Sequence, residues 1–171
     1  MKAWKECSPE ELNRNPFHLI GKEWMLVTAK NEEKEPSVNT MTASWGGVGV
    51  MWNKNVAYIV IRPQRYTKEF IDCSDTFSLT FLDEAYRKQL GYLGKVSGRD
   101  EDKIQNSGLT VAMDGDTPYF EEGNLVLLCR KLYRQPMVPE AFLEPGLDAS
   151  FYPNKDYHVL YVAEIMKILE Q

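Results

Sequence analysis

The stretch from Gly47 to Pro63 constrains the fold most strongly. Two apolar, valine-rich runs, Gly47 to Trp52 and Val56 to Ile61, flank Asn53, Lys54 and Asn55, residues with hairpin-turn chemistry. Val56 to Ile61 is the longest clean apolar run, far short of the roughly 20 residues a membrane helix requires, so it reads as a buried strand. Pro63 closes it, because proline has no N–H to give to a ladder.

Strand signals recur on both sides of this hairpin. Trp24 to Ala29 and Val38 to Ser44 are extended runs separated by the charged turn Lys30 to Pro36. Phe77, Leu79 and Phe81 alternate with Ser78 and Thr80, the period of a half-buried strand. Leu109 to Met113 and Asn124 to Gln135 resume strand character, and the β-branched and aromatic start of His158 to Leu169 favours a last strand. Helical spacing is confined to Thr67 to Cys73 and to Tyr86, Leu90 and Leu93, while Pro136, Pro139, Pro145 and Pro153 mark a loop. Many strands with a few short helices predict a barrel-like, mainly β or α+β domain and disfavour a doubly wound sheet.

Composition narrows the function classes. A chain of 171 residues, 43% apolar, suits one domain over residues 1–171. A net charge of -5 and a pI near 5.2 argue against a broad nucleic-acid footprint. Cys7, Cys73 and Cys129 are scattered and odd in number, which disfavours a disulfide or zinc framework and suits a reducing cytosol. Charged residues interrupt the N-terminus and leave no apolar core for a signal peptide. His18 and His158 have no metal-ligand spacing, and neither a nucleophile elbow nor a phosphate-binding P-loop occurs. The glycines of GGVGVM run into another strand, whereas a dinucleotide loop must open a helix.

Three stretches carry chemistry. Asn39 to Gly47, NTMTASWGG, sets hydroxyls and an amide beside Trp45 and bare glycine backbone, a set that suits a polar ligand with a flat ring; by the residues alone, a strand ending in a glycine turn over a core Trp45 is the favoured account. Arg62 to Thr67, RPQRYT, places two guanidinium groups and a hydroxyl where a strand hands over to a helix, which suits a phosphate or a plain helix cap with solvated arginines. Gly94 to Lys103, GKVSGRDEDK, either closes over an anion or forms a charged surface loop.

With LLCRKLYRQ from Leu127 to Gln135 and HVLYVAEI from His158 to Ile165, these stretches resemble, in order and spacing, the flavin reductase-like family of FMN-binding split-barrel proteins, and its flavoredoxin-like branch in particular. The resemblance implies a split β-barrel with short accessory helices, a homodimer, and one flavin mononucleotide (FMN) per subunit near the dimer interface. It implies that Asn39, Thr42, Ser44 and Trp45 line the flavin, that Arg62 and Thr67 meet the ribityl-phosphate end, and that Lys95 and Ser97 approach from the later loop, with Arg65 and Lys103 as lesser candidates. Cys129 reads as a buried, inert thiol.

Many members that take hydride from NADH or NADPH carry Gly-Asp-His near the last strand, whereas this chain has Asp156, Tyr157 and His158. Ala163 stands where a glycine is common. Two functions follow from the resemblance: an oxidoreductase passing hydride or electrons through the flavin, with a nicotinamide as possible donor, or a non-catalytic FMN-binding carrier serving a redox protein partner. A split-barrel interaction protein without cofactor is the third alternative, against which the retained Asn39, Trp45, Arg62 and Thr67 argue.

Overall fold

The computed structural model describes residues 3–171. They form strands β1 (Lys5–Cys7), β2 (Met25–Lys30), β3 (Val38–Ala43), β4 (Gly46–Met51), β5 (Lys54–Ile61), β6 (Thr76–Leu82), β7 (Val111–Asp114), β8 (Thr117–Phe120), β9 (Gly123–Pro136) and β10 (Val159–Glu170). The helices are α1 (Pro16–His18), which runs on into a wider turn over Leu19–Glu23, α2 (Thr67–Cys73), α3 (Arg87–Lys95), α4 (Lys103–Ser107) and α5 (Leu147–Phe151). Among the described residues no helix is long and apolar enough to cross a membrane.

One antiparallel sheet runs β3-β2-β6-β9-β10-β5-β4, with β1 added to the far end of β10, while β7 and β8 form a separate hairpin. Irregularities in the β9–β10 ladder after Val162 and Ile165 bend the two longest strands and curl the sheet about its core. Alternate residues point inward: Met25, Val27 and Ala29 of β2, Phe77, Leu79 and Phe81 of β6, Leu125, Leu127 and Cys129 of β9, and Tyr161, Ala163 and Ile165 of β10 meet in one cluster, with Phe70 and Ile71 of α2 closing it. Cys129 is sealed in this core and burial pushes its thiol up, as an inert cysteine requires. Ala163 packs inward there with no exposure.

Several local expectations needed revision. The β4–β5 turn consists of Trp52 and Asn53, both left-handed at φ 52° and 56°, so Lys54 and Asn55 already belong to β5. β6 is buried on both faces, because the β7–β8 hairpin covers its polar side; the Ser78 hydroxyl donates to the Pro118 carbonyl at 2.6 Å. That cover could not be read from alternation, since a satisfied hydroxyl and a solvated one look alike in sequence. β1 and β8 were not foreseen, being three and four residues long. The proline-rich loop contains α5.

The strands at the two ends of the main sheet, β3 and β4, share no ladder with each other and are joined only through Ser44 and Trp45. The barrel is therefore open at this seam.

Candidate functional site

A pocket of about 280 Å³ opens along the seam. Met41, Thr42 and Ala43 of β3 and the link residues Ser44 and Trp45 form one wall, Val60 of β5 with Arg62 and Arg65 a second, and Gly94 and His158 the ends. A second cavity of about 400 Å³ lies against the same Ser44–Trp45 link, lined by Phe17, Gly46, Gly47 and Tyr58 among others.

Helix α3 is held close to β3. The Thr42 hydroxyl donates to the Leu90 carbonyl at 2.6 Å, and a side chain at Gly94 would come within 3.1 Å of the Thr42 Cβ. The loop after α3 touches β3 in the same way, a Cβ on Gly98 falling 2.4 Å from Asn39 Oδ1. The three stretches singled out in the sequence thus converge.

They do not all reach the pocket surface. Thr42, Ser44, Trp45 and Arg62 line it. Asn39 and Thr67 do not; both are almost fully buried, with the Asn39 amide donating to the Thr67 hydroxyl at 3.0 Å. Lys95 is exposed, and the Ser97 hydroxyl accepts from the Arg99 backbone; neither residue lines this pocket.

The two arginines differ sharply. Arg62 forms an ion pair with Asp156, donates to the Phe151 carbonyl at 2.8 Å and lies over the Tyr152 ring. Hydrogen bonds from Gln64 and Arg62 hold the Asp156 carboxyl below the usual range. Arg65 makes no salt bridge among the described residues; it donates to the Gly94 carbonyl at 2.9 Å, and burial pulls its pKa down. Behind it, the ammonium of the buried Lys103 donates to the Leu93 and Val96 carbonyls, both at 2.9 Å, and burial with the Arg65 charge lowers its pKa to about 8. Two partly desolvated cations therefore cap the last carbonyls of α3, and among the described residues neither has a carboxylate partner.

The opposite end is aromatic. Trp45 packs on His158 with ring centres 5.1 Å apart and on Phe151 at 5.5 Å. Tyr152 Oη lies 2.7 Å from His158 Nδ1. Burial, helped by the Arg62 charge and opposed by Asp156, lowers the His158 pKa to about 4, so the ring is neutral at physiological pH. The pocket thus brings together Arg65 beside Gly94, the hydroxyls of Thr42 and Ser44, and the Trp45–His158 aromatic pair, near which Arg62 lies over Tyr152.

The flavin reductase like domain matches residues 17–170 of the chain. The chain belongs to the flavin reductase-like family. No curated protein matches it. It is similar in fold to flavoredoxin from Methanosarcina acetivorans, at 24% identity and TM-score 0.67 over 87% of this chain and 68% of that one. An FMN-binding domain of a flavin reductases-like enzyme from Shewanella baltica OS155 is 17% identical, with TM-score 0.69 over 98% of this chain and 77% of that one. An FMN-binding protein from Thermus thermophilus with bound p-hydroxybenzaldehyde is 20% identical, with TM-score 0.66 over 100% and 82% of the two chains. The fold of this flavin reductase-like chain is the split barrel, as in a related domain from Shewanella frigidimarina.

Sequence reading of this family member passed over Met41, Ala43, Val60, Gly94 and His158 as lining residues and ranked Arg65 below Arg62. The apolar and glycine positions carry no polar signal. The rank of the arginines depends on Asp156, whose place beside Arg62 is set by the return of the chain into β10.

Proposed function

We propose that this flavin reductase-like chain binds FMN along the seam and works as a flavin-dependent oxidoreductase. The observation that carries the reading is Arg65, a desolvated guanidinium without a carboxylate partner, at one end of a pocket whose other end is aromatic. In this reading the ribityl phosphate meets Arg65, with Lys103 behind it. Arg62 joins only by leaving Asp156. Thr42, Ser44 and Trp45 face the ring and its chain, while Asn39 and Thr67 hold the wall beneath, and Lys95 and Ser97 approach from the loop after α3. Bound flavin would supply hydride or single-electron transfer, which side chains alone do not perform. The protein fixes the ring and leaves one face accessible; NADH or NADPH is the proposed donor.

A second reading, a non-catalytic electron carrier with a redox protein partner, is favoured by Tyr157, which stands beside His158 where many nicotinamide-using members have the aspartate of Gly-Asp-His and whose hydroxyl donates to Asp148. Turnover with NADH or NADPH separates the two.

We further propose a single domain over residues 1–171, a cytosolic location, in keeping with free Cys7, Cys73 and Cys129, and a homodimer. Support for the dimer is a band of exposed aromatic side chains on the outer sheet face, where Tyr58 of β5 and Tyr133 of β9 stand in register on either side of the buried Val162 of β10, and the exposed Trp52 packs on Tyr133. Sedimentation as a monomer with FMN bound would overturn it. The absorption spectrum of the purified protein tests the main reading: a flavin spectrum supports it, and failure to take up added FMN removes it.

A further inference from the structure

We propose that Tyr152 is a positioning residue whose hydroxyl holds His158 as the tautomer that offers an Nε2–H donor to a carbonyl oxygen of the molecule bound in the seam pocket. The identity of that molecule rests on the flavin reading; the tautomer does not.

Two proton arrangements fit the 2.7 Å contact between Tyr152 Oη and His158 Nδ1. In one the phenol donates to Nδ1, which leaves the proton on Nε2. In the other Nδ1–H donates to the phenol oxygen, and the hydroxyl proton turns to Met137 Sδ, 3.6 Å away. A thioether is a weak acceptor and an imidazole nitrogen a strong one, so the first arrangement wins. The Tyr152 and His158 rings meet edge to face at 5.5 Å and Trp45 packs on His158, so the imidazole is held in place.

Burial keeps the ring uncharged. Arg62, which lines the same pocket, adds to this by disfavouring imidazolium. Asp156 favours it, but less than burial and Arg62 oppose it, and its Oδ2 is bound by Arg62 and Gln64. Tyr157 is turned away to Asp148. A neutral N–H donor at the aromatic end suits an uncharged acceptor, whereas the anion is served by Arg65 at the other end. The carbonyl belongs either to the flavin ring or to a second small molecule bound beside it.

Long-range proton–nitrogen NMR of the flavin-free protein reads the tautomer. The expected result is a proton on Nε2 of His158 at neutral pH, its loss as the single form in Tyr152→Phe, and no change in Met137→Leu. A proton on Nδ1 in the wild type, an unchanged tautomer in Tyr152→Phe, or a changed one in Met137→Leu overturns the proposal. Binding titrations of His158→Leu and His158→Gln then locate the acceptor. Loss of one neutral hydrogen bond should weaken binding roughly five- to tenfold in the Leu variant, with Gln, which keeps an N–H, close to wild type. A fall in FMN affinity assigns the carbonyl to the flavin. A fall only in p-hydroxybenzaldehyde affinity of the FMN-loaded protein assigns it to the second molecule. No change in either overturns the donor role, whereas wild-type protein that takes up no FMN counts against the flavin reading alone.

Discussion

Arg62 and Asp156, ninety-four residues apart in the chain, form an ion pair at the edge of the seam pocket, and this contact commits one of the two pocket arginines to the protein itself. Arg65 has no such partner among the described residues. Anion binding at the pocket therefore falls first on Arg65.

Arg65→Ala should weaken FMN binding about ten- to a hundredfold, the worth of one charge-assisted hydrogen bond, while riboflavin, which lacks the phosphate, is nearly unaffected. Arg62→Ala should cost less, because Asp156 already neutralises that guanidinium. Titrating both ligands on both variants isolates the phosphate coupling from general damage to the fold. An equal loss for the two ligands in Arg65→Ala would move the phosphate elsewhere.

Asp156→Asn should free Arg62 for the pocket. The expected outcome is FMN binding tighter than wild type by a few-fold, with riboflavin unchanged. A variant that binds FMN more weakly would mean that the ion pair shapes the pocket and does not compete for the phosphate.

Trp45→Ala should weaken flavin binding more than Trp4→Ala, since Trp45 lines the pocket and Trp4 packs edge to face on Tyr119 of β8. Aromatic contacts are worth about 0.5–1.5 kcal/mol beyond area burial, a change of roughly two- to tenfold. Equal effects of the two variants in folded protein would return Trp45 to a packing role.

The stability of the protein should fall as pH drops through the His158 window. With a folded-state pKa of about 4 against an ordinary value of 6.5, His158 is neutral in the fold while the unfolded chain is already protonated. Over that interval the unfolded state binds more protons, so stability rises with pH from about 4 to 6.5 and this contribution is lost on acidification. Urea unfolding of wild type and His158→Gln across this range should show a shallower slope in the variant; parallel curves would contradict the assignment.

Gly46→Ala should destabilise by about 1–3 kcal/mol and more than Gly47→Ala. At Gly46 φ is 153° and a Cβ would stand 2.5 Å from the Tyr58 carbonyl oxygen, which belongs to the β5 backbone. At Gly47 the obstacle is the Tyr58 ring, which can swing aside because it is partly exposed. Denaturant midpoints for the two variants, at unchanged slope, test the order.

Local patterns decided much of the architecture. Alternation at Phe77, Leu79 and Phe81, the hairpin around Asn53, and Pro63 before α2 act through neighbours a few residues away, so strands and turns could be read with small errors at their ends. The order of the three polar stretches likewise predicted that they share a site, and Thr42, Ser44, Trp45 and Arg62 do line one pocket. Tertiary structure decided what each of those residues is free to do. Thr67 is spent on Asn39, Arg62 on Asp156 and the Nδ1 of His158 on Tyr152, whereas Arg65 has no carboxylate partner among the described residues. Sequence names the donors and acceptors, but whether a charge is neutralised depends on groups brought together by the closing of the sheet, because hydrogen bonds act at about 3 Å and neighbouring charges over about 4–6 Å.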